Sequence, residues 1–323
     1  VPFLTLSFYK NYYLWRNSLK KSIKQIFEQN IRLLGDADKS VYYFRQQQYD
    51  KALSIVTNSL DKIEAVVEAI LTDREYFHTL PTDHVLDMLS GLLEAKKNKD
   101  YILFADILEM QLKSFLYQVQ ELIIRKEDIS FDEDKYRENV HILLERGSGF
   151  SERLMMSIDA RSLLDSGYRI ECTSCGLMTL AAENENAKFY FHTNNRVQLE
   201  AFLLAEHWVK HTKKRYILYG YGMGYHIKEL LKLAPKAEIE VFEGDINILQ
   251  LACAFTDLQE FDREDRLRVF FDPNFKALKK RITSLAEEEA LIIHYPSLMN
   301  IRETKIRSLL EEHIPWSNML ETC

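Results

Sequence analysis

Ten glycines punctuate this 323-residue chain, and their placement limits what it can fold into: only Gly35 and Gly91 precede Gly147, and three others crowd together as Gly220, Gly222 and Gly224. Glycine interrupts helices and supplies the turns between strands. The first half is therefore expected to be helical, and the second to hold an α/β part. Periodicity agrees. Leu53, Val56, Leu60, Ile63, Val67 and Ile70 recur at alternating three- and four-residue steps, as do Leu108, Leu112, Phe115, Val119 and Leu122, and both sets read as seams for antiparallel helix packing. Shorter apolar-periodic segments run from Leu19 to Leu34, Val85 to Leu93 and Asn139 to Leu144. Breaks fall at Arg146–Gly149 and, after one more helix through Leu164, at Asp165–Gly167. The second is taken as the boundary, which gives an all-helical domain of residues 1–165 and a β-hairpin plus Rossmann-like α/β domain of residues 166–323.

Around the clustered glycines, Tyr216 to Tyr219 reads as a buried strand that runs through a glycine turn into a helix from Tyr225 to Ala234. That helix carries Ile227, Leu230, Leu231 and Ala234 on one face and stops at Pro235. The next strand, Glu238 to Phe242, ends at Glu243, nineteen residues after Gly224. Such a turn lets backbone approach a ligand and aims N–H groups at an anion, while an acidic residue about twenty positions on can accept from ribose hydroxyls. Helices at 247–258, 275–287 and 301–312 alternate with strands at 267–271 and 291–294, the pattern of a parallel sheet with ligands at its carboxyl ends. Gly220, Gly222, Gly224, Glu243 and Asp272 are thus the expected binding residues on an open rim. His226, expected to face that rim, and His294 are the weak candidates for a general base.

The spacing GxGxG, with Tyr225 where a dinucleotide fold has its last glycine, fits an S-adenosylmethionine-dependent methyltransferase better than a dinucleotide enzyme. Leu218, however, stands where methyltransferases carry an acid, and four parallel strands make an incomplete methyltransferase-like sheet. A nucleotide, a nucleotide-sugar or S-adenosylmethionine is the ligand expected. The alternative is an interaction module without a ligand, in which the glycines only permit close packing of helix on strand.

Apolar residues make up 46% of the chain, enough for buried cores, and the net charge of −7 with only short basic clusters argues against nucleic acid and anionic membranes as partners. No apolar run approaches the roughly twenty residues that cross a bilayer, so a cytoplasmic location is expected. Cys172 and Cys175 form a single CxxC with no second pair and no HxxxH to complete a zinc site, so no metal is expected. They sit instead in a hairpin, Tyr168 to Thr173 pairing with Lys188 to His192, with turns at Gly176 and at residues 183–186. A parallel sheet this small has an edge to protect, which calls for the hairpin, a helix or a second copy of the chain in a homo-oligomer.

The segment Phe191-His-Thr-Asn-Asn-Arg-Val-Gln-Leu-Glu-Ala201, then Tyr216 to His226 with its Gly-x-Gly-x-Gly-Tyr-His, then Val241-Phe-Glu243, resembles the N-terminal Rossmann-like region of the motility-associated-factor proteins, bacterial flagellin glycosyltransferase-like proteins. The likeness covers roughly residues 139 to 323, and Asn98 to Tyr101 with Ala105 to Glu109 also look like the helical part of Gram-positive relatives. One departure is the stretch after His192: the family usually has Ser-x-Tyr-Asp-Pro, and this chain has Thr193 to Val197. The resemblance implies a nucleotide-binding-like accessory region that presents a protein acceptor such as flagellin. It also implies that transferase chemistry belongs to a further α/β domain, so the chain, which ends at Cys323, is expected to be a fragment or a short member.

Overall fold

A computed structural model describes residues 21–127, 133–151, 167–183, 188–261, 265–301 and 304–313. The described chain divides into a helical unit, residues 21–127 with 172–177, and an α/β unit, residues 133–171 with 178–313. This division does not coincide with the boundary expected at residue 165. The helix at Glu133–Arg146 belongs to the α/β unit because its buried Asn139 donates to Cys253 O and Thr256 O and accepts from the Leu258 N–H. The helix expected through Leu164 lies outside the described residues.

The helical unit contains α1 (Lys21–Arg45), α2 (Tyr49–Thr72), α3 (Val85–Lys97), α4 (Tyr101–Asp106) and α5 (Lys113–Lys126), with a π-helical turn, Ile107–Leu112, joining the last two. Helix α1 continues through Gly35 because the residues after it are held from outside. Asp36 accepts from Ser59 (2.8 Å) and Lys62 (3.0 Å), and Asp38 forms a buried ion pair with Lys113. The pull of Ser59 rotates α2, so its buried line is Ala52, Ser59, Ile63, Val66 and Ile70, and Leu60 of the expected seam is exposed. The second seam survives as Leu108, Leu112, Phe115 and Val119. It continues to Ile123 rather than Leu122, a step of four residues in place of three.

In the α/β unit, α6 (Glu133–Arg146) precedes a three-stranded sheet in the order β1-β2-β3, from β1 (Tyr168–Cys172), β2 (Met178–Glu183) and β3 (Lys188–Tyr190). The expected hairpin is corrected here: the stretch after Gly176 is itself a strand, so β3 pairs antiparallel with β2, not with β1. A run such as Met-Thr-Leu-Ala-Ala-Glu has little β-branching, which hid it. The turn expected at 183–186 falls largely outside the described residues.

The remaining elements alternate: α7 (Val197–Trp208), β4 (Arg215–Tyr219), α8 (Tyr225–Leu233), β5 (Glu238–Glu243), α9 (Ile246–Phe255), α10 (Leu258–Phe261), β6 (Leu267–Phe271), α11 (Lys276–Thr283), β7 (Glu289–Ile293), α12 (Tyr295–Met299) and α13 (Thr304–Glu311). Their four strands form one parallel sheet in the order β6-β5-β4-β7, so β4 is paired on both sides and the strand order reverses beside it. This is an N-terminal helical region followed by an α/β region with a four-stranded parallel sheet, compatible with a Rossmann-like fold. At the amino end, register sets Arg215 opposite Glu238 and Glu289, and its guanidinium bonds both, at 2.6 and 3.2 Å. Among the described residues no helix is long and apolar enough to cross a membrane.

The β6 edge is met by the Arg146–Gly149 segment. Ser148 donates to Val269 O and accepts from the Phe271 N–H, both at 2.9 Å, as a parallel bridge. Gly149 makes that approach feasible: its φ is +87°, and a Cβ there would stand 2.3 Å from Phe271 O. Gly149→Ala is expected to cost about 1–3 kcal/mol from backbone strain alone. Urea denaturation checks this, and an unchanged midpoint would mean that the segment does not pair with β6.

Candidate functional site

Parallel register brings the carboxyl ends of the strands level. Tyr219 is opposite Phe242 and Ile293, so the residues that follow, Gly220, Glu243 and His294, come out side by side. The backbone closes this tier, since Gly220 N–H donates to Phe242 O, and His294 N–H to Tyr219 O, each at 2.9 Å. Asp272 follows Phe271, and its N–H donates to Glu243 O at 2.8 Å. The expected site residues are therefore gathered at one end of one sheet.

What they do there differs from the open rim read from the sequence. Tyr219 through His226 are all buried, Met223 and His226 completely. The Glu243 carboxylate is 2% exposed, and it accepts from three N–H groups of its own chain: Tyr221 at 2.9 Å, Gly244 at 2.8 Å and Asp245 at 3.0 Å. It ties the glycine turn to the next loop. Asp272 accepts from the N–H groups of Lys276 (3.0 Å) and Leu278 (2.9 Å), which starts α11. Gly224 is the N-cap of α8. A side chain at Gly220 would run into Ser297, 2.3 Å from its Cβ.

Gly222 is the position where a Rossmann-type fold lets a ligand come close, and the groups that come close here are imidazoles of the chain itself. With φ at +51°, a Cβ on Gly222 would lie 3.1 Å from His192 Nε2 and 3.4 Å from His294 Cε1. His192, His226 and His294 are each wholly buried and cluster beside the turn, with ring centroids 4.2 to 5.1 Å apart. His226 points into this cluster rather than toward an open rim: the rings of His226 and His294 stack at 8°, and Trp208 meets His226 edge-on.

The surroundings fix each ring. Thr179 Oγ1 donates to His192 O at 2.6 Å, anchoring the segment after β3 to β2. His192 Nδ1 lies 3.7 Å from Glu200 Oε1 on α7, and the other oxygen of Glu200 accepts from the Thr193 N–H. His226 Nε2 is 3.2 Å from Gly220 O, and His294 Nδ1 is 2.8 Å from Ser297 Oγ. Burial holds the His226 imidazole well below the usual histidine range, His192 adds to this, and the Gly220 carbonyl opposes it. His294 is held down in the same way by burial, then by His226 and His192, against the Phe191 carbonyl. Both rings are neutral at physiological pH. Among the described residues these three histidines are the one His/Cys/Asp/Glu group with donor atoms at metal-ion spacing. His192 is not among the expected site residues, although it lies in the segment that carries the resemblance, because thirty-four positions separate it from His226.

Cys172, the last residue of β1, and Cys175 lie in the segment that clusters with the helical unit, and they form no part of this site. Burial pushes the Cys172 thiol up to about 12, and burial likewise raises Cys175, so neither is a thiolate at neutral pH.

Compared with protein-family models, curated proteins and solved structures, the chain matches none.

Burial pushes the Glu243 carboxyl up to about 7, against the lowering effect of its N–H partners. A carboxyl raised on folding holds more protons in the folded state, so its contribution is complete below the unfolded value and is lost as pH rises through the folded one. The stability of the wild type relative to Glu243→Gln is therefore expected to fall by up to about 3 kcal/mol between roughly pH 4.5 and 7. Paired urea titrations across that range measure it, and parallel curves would contradict it.

Proposed function

We propose that this chain is the accessory, interaction-bearing region of a motility-associated-factor, glycosyltransferase-like protein. In this reading it presents a protein acceptor such as flagellin and does not hold a nucleotide at its glycine turn. The observation that carries the reading is the closed turn: the carboxylate expected on a ribose is buried on three N–H groups of its own chain, and imidazoles approach Gly222 where a ligand would. A nucleoside would have to displace both, and burying either polar group without its partners costs about 1–3 kcal/mol.

Support for a binding role comes from the helical unit. Leu86 and Leu93, seven apart on α3, and Ile102 and Met110 on α4 and its π-turn are each at least 66% exposed. The two segments pack on one another, so these side chains lie on adjacent helices. Large exposed apolar side chains on neighbouring elements support a binding surface, and π-turns recur at functional positions.

Two measurements test the proposal. Thermal shift with S-adenosylmethionine, purine and pyrimidine nucleotides and nucleotide-sugars at millimolar concentration is expected to give no stabilisation. A ligand that binds the folded state raises its stability by RT ln(1 + [L]/Kd), so a dose-dependent shift with any of them would restore the nucleotide-binding reading. Purified flagellin from the same source is expected to bind, and Leu86→Lys with Met110→Lys to weaken it at least tenfold, about 1.4 kcal/mol. Failure of flagellin to bind the wild type would sink the acceptor-presenting role.

A further inference from the structure

The hydrogen bonds around the three buried histidines decide which of their nitrogens keep a lone pair. The carbonyl of Gly220 only accepts, so His226, 3.2 Å away through Nε2, carries its proton there and leaves Nδ1 bare. His192 Nδ1 is buried without a hydrogen-bond partner, the nearest Glu200 carboxylate oxygen lying 3.7 Å away. His226 Nδ1 and His192 Nε2 face one another at 3.3 Å, and without a metal the His192 N–H can donate to the bare His226 nitrogen. The third ring adds to this: with His294 Nδ1 engaged by Ser297 Oγ at 2.8 Å, its Nε2 is buried and has no hydrogen-bond partner. One ring nitrogen from each of the three neutral imidazoles thus lines a closed space, all within 4.8 Å of one another, and each can present a lone pair there once its proton moves to the other ring nitrogen. Buried polar groups left without a partner are costly.

We propose that His192 Nε2, His226 Nδ1 and His294 Nε2 bind one divalent transition-metal ion of the zinc class at the glycine turn. Two ligands on a tetrahedral ion with bonds of about 2.0–2.1 Å stand roughly 3.3–3.4 Å apart, the spacing of the His192 and His226 nitrogens. Each outer nitrogen faces the kind of group that orients a metal-bound histidine: a carboxylate, a backbone carbonyl and a hydroxyl. A purely imidazole set suits zinc, copper, nickel or iron(II) rather than magnesium or calcium, which want oxygen. Gly222, bare of a side chain, leaves the space beside the cluster free. The His294 ring, stacked on His226 at 4.2 Å, has to tilt out of that stack to bring its nitrogen onto the ion. Three protein ligands leave a fourth position for water or a substrate atom. This site is independent of the acceptor-binding role, and either can fail without the other.

The test is metal content. The whole chain is produced in minimal medium supplemented with Zn2+ or Co2+, purified without a histidine tag and measured by inductively coupled plasma mass spectrometry. One ion per chain is expected, and the Co2+ form should show the strong visible absorption of four-coordinate cobalt. His192→Gln and His294→Gln should drop the content to background, whereas His78→Gln with His141→Gln should keep it. Should the histidine variants fold poorly, Glu200→Gln, whose amide can keep the bond to Thr193, decides: its zinc affinity should fall about 10–100-fold with an unchanged circular dichroism spectrum. Wild-type protein without metal from either medium, full metal content in a folded His192→Gln variant, or unchanged affinity in Glu200→Gln would overturn the site.

Discussion

The α/β unit depends on one strand being paired on both edges. β4 hydrogen-bonds in parallel to β5 on one side and β7 on the other, and Tyr216, Ile217 and Leu218 have no exposed surface. A strand enclosed in this way can leave the sheet only through a narrow exit between its neighbours' ends, and glycine fits it. The same register that buries β4 sets Gly220, Glu243 and His294 level, so the crowding of polar groups at this end follows from backbone pairing rather than from local motifs. At the other end register sets Arg215 between two glutamates, and there the groups remain partly in contact with solvent.

Buried polar groups need partners, and most of those at the glycine turn have them. Glu243 takes three N–H groups and Asp272 two, and Tyr168 donates to Asp245 at 2.7 Å while accepting from Asn300. Three buried side-chain atoms in this neighbourhood do not: His192 Nδ1, His294 Nε2 and the Tyr221 hydroxyl. Orphaned groups of this sort are rare in folded proteins and concentrate where a chain does chemistry or holds something. Among the described residues of the unit, their gathering around the turn sets this end of the sheet apart from the rest.

The helical unit is organised around acidic residues of a helix that glycine fails to break. Asp36 reaches α2 through Ser59 and Lys62, and Asp38 reaches α5 through the buried Lys113. Losing one member of a buried pair costs far more than the pair contributes, so such a contact constrains alignment more than it stabilises. The bond from Ser59 to Asp36 likewise accounts for Leu60 facing outward although its spacing places it on a core seam.

Local chemistry in the sequence was enough to read the helical first half, the glycine turn and the alternation that makes a parallel sheet, because periodicity and glycine act within a few residues of themselves. It also named Gly220, Gly222, Gly224, Glu243, Asp272, His226 and His294, which the fold does bring to one end of the sheet. The closure of the rim, the pairing of β2 with β3 and the partnership of His192 with His226 and His294 were not legible. Each depends on contacts between segments tens of residues apart, for which no spacing in the chain is a signal. Whether a glycine turn admits a ligand or is closed by the chain's own imidazoles is decided by what packs above it, and only the tertiary structure places those groups.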